Sequence, residues 1–174
     1  MKSRQNVNVA TWGIGCTGLL ATFLDTCSQQ RGGHLFFTAP FYDRTFLSDL
    51  ASLFAAPRFS VEVIVNNARA GRDIESLFCK GNIKISVCLR HNLHAKVFIF
   101  ESSAGKFTAL IGSHNPTMSA NVCNLEVGVF TAGVPHSATC QLVIDLRDCL
   151  RQEAIGKHST NHARNSYVDC DYIN

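Results

Sequence analysis

Apolar and polar positions alternate along "NVNVATW" at residues 6–12, a period of two that predicts a β-strand with one buried face. Over residues 16–30 the spacing changes: Leu19, Leu20, Phe23, Leu24 and Cys27 recur at the intervals of an amphipathic helix. "GGHLFFTAP" at 32–40 then reads as a buried strand, opened by glycines and closed by proline. Asp43 or Thr45 can cap a helix running to Phe54, since Phe46, Leu47, Leu50, Leu53 and Phe54 share one side. "FSVEVIV" at 59–65 is the next strand, followed by a short helix over about 71–79 and strands at 82–89, 93–100 and 107–113. "NLEVGVFT" at 124–131 is expected to be the last strand, and 136–153 a closing helix. From Gly156 onward the chain is polar and aperiodic, so residues 156–174 are expected to form a loose tail, or an arm on a partner subunit, beyond a folded body of residues 1–155. Strands and helices in this order predict an α/β fold, a mixed β-sheet flanked by helices on both faces.

A length of 174 residues holds one well-cored domain. The formal charge of +3 neither demands nor excludes a polyanionic partner, but its distribution is uneven. Between Asn66 and His91 stand Arg69, Arg72, Lys80, Lys84 and Arg90 against only Asp73 and Glu75. Such a stretch is either a solvated face or a patch that steers an anion; Arg69, Arg72, Lys84 and Arg90 are the candidates for contacting nucleic acid. The eight cysteines sit mostly in apolar runs such as "ISVCLR", with no CxxC spacing, and read as buried thiols. His158 and His162 are four residues apart but have no further ligand pair nearby, so neither a metal site nor a cofactor is expected. Lys2 and Arg4 before "VATWGIGCTGLLATFL" superficially resemble a signal peptide, yet glycines and threonines dilute the stretch and it divides into a strand and a helix. A cytoplasmic protein is expected. No run is long and apolar enough to span a membrane, so no membrane partner is expected.

Three polar pairs interrupt the apolar strands. In "LHAKVFIF" a histidine and a lysine lie two apart at the head of a greasy run, and alternation puts His94 and Lys96 on one face. Burying a cation there without a partner costs several kcal/mol on the order of an unpaired ion's penalty. Parity likewise places Ser113 with Asn115 in "IGSHNPT", with His114 turned away, and Asn124 with Glu126 in "NLEVGVF". Singly, each is explained by a turn, a satisfied core histidine or a snorkelling lysine. Together they can satisfy one another at one end of a sheet and hold an anion.

"HAK" followed after four residues by Glu101, then "GSHN", then "NLE" resembles the HxKx4D, GSxN and glutamate signature of the phospholipase D superfamily, in its short, single-motif nuclease-like form. The order of elements is similar from about residue 7 to residue 153. Glu101 departs from the family's aspartate; by parity it faces away from His94, so a structural role is expected.

The resemblance implies phosphodiester chemistry on a phospholipase D-like fold. His94 is the implied nucleophile, forming a phosphohistidine; Lys96 and Asn115 would hold the non-bridging oxygens, and Ser113 would bond phosphate or its neighbours. Glu126 would accept from the His94 imidazole and fix its tautomer. No metal is needed. Attack needs a neutral histidine and departure a protonated one, so one HxK per chain implies a homodimer with a composite site. His91 and His114 are the intrachain alternatives for the acid. Cleavage of DNA or RNA is the first expectation. A phospholipid phosphodiesterase or transferase, and a non-catalytic nucleic-acid-binding or dimerisation subunit of a larger DNA-processing system, are the alternatives.

Overall fold

A computed structural model describes residues 10–13, 18–81, 83–122, 124, 126–133, 138–152 and 154–159. In chain order the elements are β1 (Ala10–Gly13), α1 (Leu19–Ser28), β2 (Gly33–Ala39), α2 (Arg44–Leu53), β3 (Phe59–Val65), α3 (Ala68–Lys80) and β4 (Lys84–Leu89). They continue with β5 (Lys96–Ser102), β6 (Phe107–Gly112), α4 (Met118–Val122), β7 (Gly128–Gly133), α5 (Ala138–Gln152) and β8 (Ile155–Ser159). The eight strands among the described residues form one sheet in the order β1-β7-β6-β5-β2-β3-β4-β8. β2, β3 and β4 are mutually parallel, with helices as crossovers, and the other neighbours pair antiparallel.

The alternation of strand side chains divides the core into two layers. Leu35, Phe37, Val63, Phe98 and Phe100 face α1, α2 and α3, whose buried stripes supply Phe23, Phe46, Leu50, Ile74 and Phe78. Phe36, Ile64, Val97, Ile99 and Ala109 face the other way, toward Cys140, Val143 and Leu150 of α5. The mixed sheet with helices on both faces is therefore as the periodicity predicts. Phe37 and Phe98 stack with centroids 5.9 Å apart and planes 6° apart, binding β2 to β5. On the α5 layer two ion pairs fasten the helix. Glu101 of β5 meets Arg147, and Glu62 of β3 meets Arg151. Glu101 thus points away from the Lys96 face, as parity predicts.

Several boundaries differ from the sequence reading. α3 begins at Ala68, because the Asn67 side chain caps it by accepting from the Ala70 N–H at 2.9 Å. Gly71 therefore lies inside the helix, at a point where a Cβ would stand 3.2 Å from Val87 Cγ1. β5 begins at Lys96, so His94 precedes the strand, in a loop where Asn92 is left-handed at φ 57°. β7 begins at Gly128, which leaves Asn124 and Glu126 in the connection before it. α4 is an additional one-turn helix. Among the described residues the last strand is β8, which pairs antiparallel with β4, so the chain from 156 to 159 belongs to the sheet edge and not to a tail. Residues 160–174, including His162, lie outside the described residues.

Candidate active site

Strand register decides what meets at the end of the sheet. Lys96 opens β5 opposite Gly112, which closes β6, and Gly112 stands opposite Gly128, which opens β7. The segments that carry the three polar pairs therefore emerge side by side. Phe37 opposite Phe98 shows that β2 runs toward the same end, and its parallel neighbours β3 and β4 finish there too.

Lys96 shares parity with Phe98 and Phe100 and so lies on the layer of α1, α2 and α3. Its Nζ donates to the His94 carbonyl oxygen at 2.9 Å and stands 3.2 Å from Nδ1 and 3.3 Å from Nε2 of the same imidazole. The pair is joined, as expected, although the loop and not strand parity joins it. Thr38 of β2 makes that possible. It is fully buried, its hydroxyl donates to the Ala95 carbonyl at 2.6 Å, and it accepts from the Val97 N–H at 3.0 Å. Those two bonds bracket Lys96 where the β2–β5 ladder has ended, satisfying backbone groups that a splayed strand end leaves over. Thr38 belongs to no motif, and its one signal in the sequence is a hydroxyl in the middle of "HLFFTAP".

Ser113 follows β6, and its Oγ donates to Glu126 Oε2 while accepting the Val127 N–H at 3.0 Å. Asn124 Nδ2 donates to the other oxygen, Glu126 Oε1, at 3.2 Å. Glu126 is only 6% exposed. Its carboxylate is thus committed to Ser113 and Asn124, and the expected bond to the His94 imidazole is not made within one protomer. The physical reason is that Asn124 and Glu126 sit in a loop folded back on the end of β6, not on a strand beside His94. Asn115 lies two residues past Ser113, half-buried, with Oδ1 buried and without a hydrogen-bond partner among the described residues.

Two glycines let these segments close up. A Cβ at Gly112 would stand 2.2 Å from the Val127 carbonyl oxygen, and one at Gly128 3.0 Å from His114 Cε1. His114 is accordingly packed against β7 at 1% exposure, with neither ring nitrogen bonded among the described residues. Burial pushes its pKa below the ordinary histidine value, against the opposing pull of the Glu126 carboxylate. A ring so enclosed does not reach a phosphate, which removes it as an acid; His91 is exposed in the loop before His94.

The basic residues divide. Arg69 and Arg72 are exposed on the first turns of α3, just past the end of β3, and Arg90 follows β4, its N–H donating to the Val65 carbonyl at 2.8 Å. All three are at the end that carries Lys96. Lys84 opens β4 and lies at the opposite end, about 20 Å from Arg90 at the usual rise per strand residue. Helical and strand spacing alone do not reveal which end of an element faces the site. Among the described residues no group of three or more His, Cys, Asp or Glu side chains is arranged to hold a metal ion, and no helix is long and apolar enough to cross a membrane.

The family model described as "Cardiolipin synthase, PLD-like domain" matches residues 34–145. No curated protein matches the chain in sequence. Among solved structures, the chain is similar to Nuc, a phospholipase D family member from Salmonella typhimurium, with a TM-score of 0.59 and 15% identity over 88% of this chain and 99% of that one. It is also similar to NucT from Helicobacter pylori, with a TM-score of 0.52 and 16% identity over 79% and 89%. At such identities the likeness is one of fold. The family match covers the HxK strand and the GSHN loop through to Glu126, and the chain belongs to the phospholipase D-like family.

Proposed function

We propose that this protein is a metal-independent phosphodiesterase that cleaves nucleic acid through a phosphohistidine on His94, in a cleft shared by two copies of the chain. The observation that carries the reading is the contact of Lys96 Nζ with the His94 imidazole at the sheet end where Ser113, Asn115 and Glu126 also emerge. In the first step a neutral imidazole nitrogen attacks phosphorus, and the bond from phosphorus to the leaving oxygen breaks. His94 of the partner subunit, protonated, gives that oxygen its proton. Water then attacks phosphorus, its proton returns to that imidazole, and the N–P bond breaks. Lys96 and Asn115 face the non-bridging oxygens, whose charge persists through both transition states. Ser113 and Glu126 brace the loop that presents Asn115.

Nucleic acid is favoured as substrate by Arg69, Arg72 and Arg90, which flank this sheet end and can follow a phosphate backbone. The body expected over residues 1–155, extended to residue 159 by β8, would act as the catalytic domain. The buried thiol of Cys27 fits the cytoplasm. The test is incubation with labelled DNA, RNA and a phospholipid in excess EDTA, comparing the parent with His94→Ala. Cleavage of nucleic acid that survives chelation and drops at least about 1,000-fold in the variant is expected, as for loss of a nucleophile. Dependence on a divalent metal, or turnover of the phospholipid alone, overturns the reading. Salt-sensitive binding without turnover would leave only a binding module. Activity from a monomer would refute the shared cleft.

A further inference from the structure

We infer that Asp43 is a positioning residue which clamps the 113–117 loop, and with it Asn115, onto the rigid start of α2. The catalytic part of this inference rests on the phosphodiesterase reading above. Asp43 Oδ1 accepts from the Phe46 N–H at 2.7 Å, the ordinary bond of a helix cap. The second oxygen, which a cap leaves to water, accepts from the Met118 N–H at 2.6 Å. The backbone N–H of Asp43 donates to the Pro116 carbonyl at 3.1 Å. Two bonds therefore cross from the start of α2 to the segment directly after Asn115, on a stretch of chain 75 residues away.

The other side of that segment is held separately, because the Ser113 N–H donates to the Val127 carbonyl at 2.9 Å. Between the two anchors lie only His114 and Asn115, and the Thr117 N–H closes a tight turn onto the Asn115 carbonyl at 2.8 Å. The anchor itself is firm, since Phe46, Leu47 and Leu50 bury α2 in the core. Capping alone does not require aspartate. Serine and asparagine cap helices equally well, but serine offers one oxygen, and an asparagine that keeps the cap turns its NH2 toward the Met118 N–H. Only a carboxylate accepts from both helices at once.

The test uses Asp43→Asn and Asp43→Ser, which keep the cap, beside Asp43→Ala, which does not. Amide exchange is followed at Met118 and Phe46, and kcat and KM are measured on the nucleic acid the parent cleaves. In the first two variants Met118 exchange rises at least about 10-fold while Phe46 stays protected, and Tm stays within a few degrees of the parent. Their kcat falls roughly 10- to 100-fold with KM within about twofold, the effect of displacing a positioned group by about 1 Å. Parent-like protection at Met118 in Asp43→Asn overturns the clamp, and faster exchange with parent kcat overturns the positioning role. Should the parent cleave nothing, the proposed function falls, while exchange at Met118 still decides whether the clamp exists.

Discussion

Replacing Arg151 by methionine should destabilise this protein in a way that depends sharply on pH. Glu62 is 7% exposed on β3, and Arg151 reaches it from α5 through Nε at 2.9 Å and through a second bond from Nη2. His34 Nε2 is 3.4 Å from the same carboxylate. Burial alone would raise the Glu62 pKa, but the bonds and charges of His34 and Arg151 outweigh it and bring it to about 2, against 4.5 for an ordinary glutamate. At ~1.4 kcal/mol per pH unit this gap stabilises the folded chain by about 3 kcal/mol. Because the folded value is the lower one, the unfolded chain binds the proton first; the stabilisation is complete above about pH 4.5 and is lost as pH falls toward 2. Arg151→Met strands a buried carboxylate, so at pH 7 it should cost about 3 kcal/mol, or about 6–12 °C in Tm for a chain of this size. The deficit should shrink between pH 5 and pH 3, and Glu62→Gln added to Arg151→Met should recover more than half of it. Urea unfolding followed by circular dichroism across this range is the assay. A loss under about 1 kcal/mol at pH 7, or one equally large at pH 3, would show that Arg151 does not hold the Glu62 charge in the fold. Turnover per folded molecule should not change, since the pair lies on the α5 layer, away from the face of Lys96.

Other substitutions test the site. Ser113→Ala removes a bond to a buried carboxylate and a bond from the Val127 N–H, so it should lower stability by about 2–4 kcal/mol by thermal melting, and kcat with it. An unchanged Tm would contradict the bracing role. His114 has a folded pKa below its unfolded one, so its contribution is complete above about pH 6.5 and is lost as pH falls. His114→Leu should therefore show a flatter stability between pH 7 and pH 5 than the parent. Arg69→Ala should reduce the dependence of nucleic-acid binding on log salt by about one, whereas Lys84→Ala, at the far end of the sheet, should leave the slope alone.

The β3 strand, a cap at Asp43 or Thr45 and the two-layer core were legible because each follows from a local rule: alternation, a short polar side chain before an apolar stripe, and strands alternating with helices; the structure selects Asp43. The placement of the polar groups was legible only in part. Parity brought Lys96 onto the right face and turned His114 and Glu101 away, but His94, Asn124 and Glu126 lie in loops where no period of two applies. Their positions come from long-range bonds, the Thr38 hydroxyl to Ala95 and Val97 and the Ser113 hydroxyl to Glu126, whose partners lie 13 to 59 residues apart. β8 escaped notice because "IGKHS" has one apolar side chain to offer, and an edge strand needs little more. α4, with five residues, is too short to show a stripe.

If His94 itself takes the phosphoryl group, the adduct can be trapped on the protein. Parent and His94→Ala are mixed with end-labelled nucleic acid in EDTA, quenched in alkaline detergent within the first turnover and resolved by denaturing electrophoresis. Label is expected on the parent chain through a bond that is labile to acid and stable to alkali, and none on the variant. Rapid cleavage in EDTA with no labelled protein at any time point would contradict it.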